Sequence, residues 1–358
     1  MKIASTLILC SAAVLSACAQ MPAQQAPAPA VAAAAPVAPA PAAVVYIAPA
    51  APVQFSVTPT AEQLAIAARA GVEPAMLNII LNKQIYQMSP VEAGRYIAYI
   101  HEAEPDFRKR IAAIGRKNIG QAYKLNLLGE FPYELHDDLP MFSLTHGDCV
   151  VFSEHTYAMA LSRSWEEFFW VLQRIRYNKG VIGVATRNHY TELDWNINNG
   201  WLVTDVSAQL AGARTAQYPL TVDRANFLRT RHKTPSNLPV ENSTQDYVPH
   251  ALTDEVIKQL NDGDFVNVIS TDGNTYWASH VGMVVVDANG KRNFLNSIEP
   301  YAREEGFEVF IGRQLERENR LIASGKKNVK RLAGFKFLRL NDKPEVPPMA
   351  PQPRPGRA

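Results

Sequence analysis

The pattern of apolar and polar positions changes character several times along the chain. Lys2 is followed by a mainly apolar run, residues 3–14, and then by Leu15-Ser16-Ala17-Cys18. That run is too short to cross a bilayer and reads as the core of a signal peptide spanning residues 1–17. Residues 19–53 are almost wholly Ala, Pro, Val and Gln. Such a composition buries no core and its prolines favour extended chain, so residues 18–55 are predicted to be a tether. A second Pro-rich stretch, residues 342–358, is predicted to be a disordered tail. Between them, about residues 57–341, apolar positions are dense enough for one large domain or two small ones.

The first part of this body, residues 56–128, reads as helical. Helices are predicted over 60–70 and 74–86, from Ser89 onward, and over 105–125. Ser89-Pro90-Val91-Glu92 combines an N-cap, a proline at the first helical position and a glutamate closing a capping box. These helices are expected to pack on the remainder, with a separate small helical domain as the alternative. Gly129-Glu130-Phe131-Pro132-Tyr133 signals a turn. Residues 150–161 lack Gly and Pro, and Ser164-Trp165-Glu166-Glu167 is a second capping box opening a helix to about Tyr177. Residues 178–249 hold short β-like pieces at 181–186, 201–206 and 219–223, with the polar stretch 233–246 read as a long loop beside a cleft. After Asn261-Asp262-Gly263-Asp264 comes a β-rich run, 265–269. The run 281–286, the turn Asp287-Ala288-Asn289-Gly290 and Arg292-Asn293-Phe294-Leu295-Asn296-Ser297 then form a hairpin pattern. The fold class that follows is α+β, with helices packed on a mainly antiparallel sheet.

Charge adds an exclusion. Lys and Arg number 36 against 34 Asp and Glu, and no basic block or aromatic-basic interleaving points to nucleic acid. Leu15-Ser16-Ala17-Cys18 resembles a bacterial lipobox, which implies that Cys18 becomes an acylated N-terminus and that Cys10 leaves with the signal. The resemblance implies a membrane partner through an N-terminal lipid anchor. With Ala at position 19, it implies an outer-membrane lipoprotein whose catalytic domain lies in the periplasm. Of three cysteines, Cys149 is then left as a lone thiol. It lies at or just before a helix start, where unpaired N–H groups and the helix dipole favour the thiolate and can face an oxyanion.

A nucleophilic cysteine needs a base, and of eight histidines His280 stands at the head of a strand. A three-residue loop of Ala288, Asn289 and Gly290 pairs residue 282 with 296 and sets Asn296 on the face of His280. A two-residue Asn289-Gly290 loop sets Ser297 there instead. Asn296 is preferred, because its amide oxygen accepts the imidazole N–H and holds the ring. Alternative readings are a buried structural thiol at Cys149, a core histidine at His280, and a zinc site built on His146, Cys149 and another histidine. No paired cysteine spacing supports the zinc site. His155 has no defined task.

Gly129-x-x-Pro132-Tyr133, Asp148-Cys149-x-x-Phe152-x-Glu154, Gly263-Asp264-Phe265-Val266 and Ser279-His280-Val281-Gly282 occur in an order that resembles NlpC-type cell-wall cysteine amidases and peptidases. That resemblance implies a papain-like core. Arg187-Asn188-His189-Tyr190, Asp194-Trp195, Asn198-Asn199 and the closing stretch 331–339 are similar to the amidase-like family of N-acetylmuramoyl-L-alanine amidases. Together they cover roughly residues 90–340. The chain departs from the pattern at Val150 and Val151, where relatives often carry small hydroxylated residues, and at Asn296, where a second histidine is common.

The resemblance implies a catalytic domain over 129–341 and a peptidoglycan or muropeptide substrate, with neither cofactor nor metal. Cys149 attacks the lactyl carbonyl linked to L-Ala, His280 moves the protons and Asn296 orients it. Tyr133, Asp148, Arg187, His189, Tyr190 and Trp195 are implied substrate-binding residues, aromatics stacking on sugars and Arg pairing with carboxylates. Tyr190 and Trp195 fit a core equally well. Competing functions are a D-glutamyl-diamino acid endopeptidase, a non-catalytic peptidoglycan-binding lipoprotein and a zinc-dependent hydrolase.

Overall fold

A computed structural model describes residues 57–356. The predicted signal segment and the whole of the tether, Cys18 included, lie outside the described residues. Four helices come first: α1 (Ala61–Arg69), α2 (Pro74–Asn82), α3 (Pro90–Ala103) and α4 (Phe107–Arg116). Thr60 and Ser89 each close a capping box, with Gln63 and Glu92 reaching back to the cap N–H. The fourth helix stops at Arg116, short of the predicted residue 125, because the following chain is drawn into the sheet. Gly120 N–H donates to Ala302 O, and Ala302 N–H donates to Gln121 O, both at 2.9 Å.

Ten strands form one sheet: β1 (Ala122–Tyr123), β2 (His146–Gly147), β3 (Val203–Asp205), β4 (Ala216–Val222), β5 (Glu241–Pro249), β6 (Phe265–Thr271), β7 (Tyr276–Val286), β8 (Arg292–Ile298), β9 (Tyr301–Gly306) and β10 (Arg331–Leu340). Their order is β2-β1-β9-β8-β7-β6-β10-β5-β4, with β3 also pairing β10. All pairs are antiparallel except the short β1–β2 pair. The α+β class with a largely antiparallel sheet is therefore as the pattern predicts.

Strand period divides the core into two layers. Val281, Met283, Val285 and Leu295 face the helices, including α5 (Cys149–Leu161) and α6 (Trp165–Arg176). Val284 and Phe294 face the opposite way, toward Phe307 and Phe310 of the helix Phe307–Ala323 and toward Phe335 and Phe337 of β10. Residues of α1–α4 share the first layer with α5 and α6, so the N-terminal helices are part of the body and not a separate small domain. From Val151 to Ala160 every residue of α5 is buried, so this helix is enclosed on all sides. Each large aliphatic side chain it buries is worth about 1.5–3 kcal/mol.

Three predictions are corrected. The polar stretch read as a loop over 233–246 runs into β5, which pairs with β4 from Glu241↔Val222 to Tyr247↔Ala216. Apart from Val248 its side chains are exposed or half-buried, so backbone pairing forms the strand without an apolar alternation. Residues 184–186 form a short 3₁₀ turn in place of β structure. As far as Gly356 the tail is an extended strap and not disordered: Ala350 N–H donates to Lys179 O, Gly356 N–H to Pro132 O, Ile182 N–H to Gln352 Oε1, and Gln352 Nε2 to Gly180 O.

Candidate active site

The position of Cys149 is built by the cap of α5. Asp148 Oδ1 accepts from Val150 N–H at 3.0 Å and Val151 N–H at 2.9 Å, which fixes the first turn and makes Cys149 its first residue. Both N–H groups thus point to the carboxylate, and Val150 N–H also lies within hydrogen-bond reach of the Cys149 thiol. The Cys149 thiol takes a hydrogen bond from the backbone N–H of Val281, the residue after His280. Burial, and next the Asp148 carboxylate, push the thiol up to about 12. This corrects the prediction of a thiolate favoured by the helix end: desolvation and an adjacent negative charge outweigh the dipole.

His280 is positioned by the hairpin. Val286 pairs Arg292 and Met283 pairs Leu295, and Asp287 N–H donates to Lys291 O at 2.9 Å. The loop is thus the three-residue form, closed by Gly290 at φ +78, a conformation that glycine adopts at little cost. In this register Asn296 shares the face of His280, and the imidazole Nε2 lies 3.0 Å from Asn296 Oδ1. The amide nitrogen of Asn296 reaches only acceptors, Phe294 O and Glu305 Oε1, so Oδ1 is the atom turned to the ring. Nε2 then carries the hydrogen and Nδ1 keeps its lone pair. Burial pulls the imidazole down to about 4, against the Asn296 bond, which raises it. Phe310 stacks on the ring with centroids 6.0 Å apart, and Phe294 meets it edge-on at 5.9 Å. Opposite Asn296 stands Gly282, where a Cβ would come within 2.6 Å of the Phe294 ring and 2.7 Å of Leu295 O.

His280 opens into a cleft of about 360 Å³ whose walls include Tyr123, Ser270, Ser279, Glu299, Phe310, Arg317, Lys330 and Arg331. Tyr123 and Lys330 also lie within electrostatic reach of Cys149. Neither was anticipated: Tyr123 belongs to a two-residue strand and Lys330 precedes β10, and no local motif marks either.

None of the six predicted substrate-binding residues lines this cleft. Asp148, Arg187 and His189 gather at a cavity of about 170 Å³ beside the start of α5. Arg187, His189 and Tyr190 line another of about 230 Å³. The Arg187 guanidinium is held by Glu130 and Asp137, and Glu130 also accepts from Tyr177 Oη at 2.9 Å. His189 Nε2 sits 2.8 Å from Val184 O, and burial pulls its ring down to about 3. Trp195 is the clear correction. It is 2% exposed, packs on Phe265 at 4.2 Å and donates from Nε1 to Glu154 Oε1 at 3.1 Å, so it is core and not a sugar platform. Tyr133 lies in the turn after Glu130, its N–H donating to Glu130 O at 2.7 Å. His155 is locked inside α5's layer between Val151 O and Ser143 N–H. Among the described residues no group of three or more His, Cys, Asp or Glu is placed to hold a metal ion.

The family model for N-acetylmuramoyl-L-alanine amidase-like proteins matches residues 113–303, more than half of the chain. The chain belongs to that amidase-like family. The match spans Tyr123, Cys149, His280 and Asn296, and ends before Lys330. Among solved structures, the chain is similar to a Legionella pneumophila protein of the DUF1460 family, at 19% identity over 70% of this chain and 94% of that one, with a TM-score of 0.56. It is also similar to an N-acetylmuramoyl-L-alanine amidase from Bacteroides uniformis, at 19% identity over 66% and 99%, with a TM-score of 0.50. At these identities the likeness is one of fold. No curated protein matches the chain.

Proposed function

We propose that this amidase-like protein is a cysteine hydrolase with a papain-like, NlpC-type core that cleaves the N-acetylmuramoyl-L-alanine bond of peptidoglycan or muropeptides. One observation carries the reading: within the family-matched segment, the Cys149 thiol is bonded to the backbone beside His280, whose ring is held by Asn296. His280 Nδ1 takes the thiol proton as sulfur adds to the lactyl carbonyl. The tetrahedral oxyanion collapses, the C–N bond breaks, and the same imidazolium protonates the departing L-Ala nitrogen. Water, deprotonated by His280, then adds to the thioester and returns the thiol and a free muramoyl carboxylate. Asn296 holds the ring in the tautomer whose Nδ1 is free to accept a proton.

The test is a defined disaccharide-peptide whose products are weighed. The reading expects free disaccharide and free peptide from the wild-type chain, and intact substrate with Cys149→Ala. Cleavage unchanged in Cys149→Ala removes the reading. Fragments split between D-Glu and the diamino acid make the protein an endopeptidase, and no cleavage of any fragment favours a non-catalytic peptidoglycan-binding protein. The proposal includes outer-membrane attachment through Cys18, checked by membrane partition of the Cys18→Ser chain; partition equal to wild type removes that part.

A further inference from the structure

The cleft at His280 is asymmetric with respect to the two groups that flank the scissile bond. Its walls include His280 but not Cys149. In an amide cleavage the acyl half stays on sulfur, while the nitrogen half must lie against the general acid that protonates it. The cleft on the imidazole side is therefore the place of the leaving peptide. Its charge fits such a fragment. Lys330 is half-buried in its wall and makes no ion pair or hydrogen bond within the described residues, while Arg317 and Arg331 stand unpaired at the exposed rim. Glu318 is occupied by the N–H of Leu332, and Glu299 is the other carboxylate in the wall. Lys330 feels the Glu318 carboxylate only through space, without an ion pair or hydrogen bond, so a half-buried ammonium there still gains from an anion that brings its own charge into the cleft.

We propose that this cleft is the leaving-group subsite and that Lys330 binds a free carboxylate of the peptide, with Arg317 and Arg331 drawing the anionic chain inward. The proposal rests on the amidase reading for the identity of the peptide. Its test does not require turnover. The full chain carrying Cys149→Ala is titrated calorimetrically with L-alanyl-γ-D-glutamyl-diaminopimelate, and with the same tripeptide amidated at the glutamyl α-carboxyl. We expect the amidated peptide to bind at least about tenfold more weakly. Adding Lys330→Met should abolish that difference, with Lys330→Gln and circular dichroism separating a binding defect from misfolding. Equal binding of the two peptides, no binding of either, or a difference that survives in both Lys330 variants overturns the proposal. Cleavage by the wild-type chain without this discrimination sinks the subsite alone; discrimination without cleavage sinks the amidase reading alone.

Discussion

At the scale of single residues, the thiol pushed up to about 12 and the imidazole pulled down to about 4 describe a neutral pair at pH 7. In the proposed attack the proton would then move with sulfur and not before it. Alkylation of Cys149 by iodoacetamide should accordingly rise roughly tenfold per pH unit between pH 7 and 9; a plateau below pH 8 would show a preformed thiolate. Asp148→Asn keeps an N-capping oxygen but removes the charge beside sulfur, so its alkylation should be faster than wild type at equal pH. Asn296→Ala frees the ring and should lower kcat by about 10- to 100-fold with KM little changed, measured on the disaccharide-peptide; an unaltered kcat would make Asn296 structural. His280 and Asn296 were legible because hairpin register is a local property, set by loop length and one glycine. Tyr123 and Lys330 were not, since each reaches the cleft only through pairing between strands far apart in sequence.

Among elements, β7 and β8 carry the tightest constraint. Gly282 lets the strands close with Asn296 beneath His280, and a methyl there collides with Phe294 and Leu295. Gly282→Ala should cost about 1–3 kcal/mol in urea unfolding and displace Asn296 enough to lower kcat; full activity with full stability would contradict the register. The caps at Ser89 and Ser164 marked helix starts correctly, as their chemistry lies within four residues. The end of α4 and the existence of β5 were invisible locally. A helix-tolerant segment was captured by β9, and a polar segment was ordered by β4.

For the whole molecule, buried histidines set the response to acid. His155, His189 and His280 titrate in the fold at about 3, 3 and 4, below the ordinary 6.5. Between those values the unfolded chain holds protons that the folded chain does not, so their contribution is complete above pH 6.5 and is lost toward pH 4. Glu154, which burial raises to about 7 from 4.5, acts in the opposite sense over pH 4.5–7. Glu130, Asp148, Asp262 and Asp264 are raised by burial and act with Glu154, while His101 and His232 are lowered and act with the other histidines. With the large histidine shifts dominant, Tm followed by circular dichroism should fall from pH 7 to pH 4, and a constant or rising Tm would contradict this balance. The two-layered core bears on the site as well. Cys149 is braced by the helical layer, whereas His280 rests on Phe294 and Phe310 in the other. A slip of α5 along β7 would part sulfur from nitrogen while leaving each layer intact. Mild denaturant should then silence the enzyme before any loss of ellipticity, making turnover the finest gauge of how the two halves mesh.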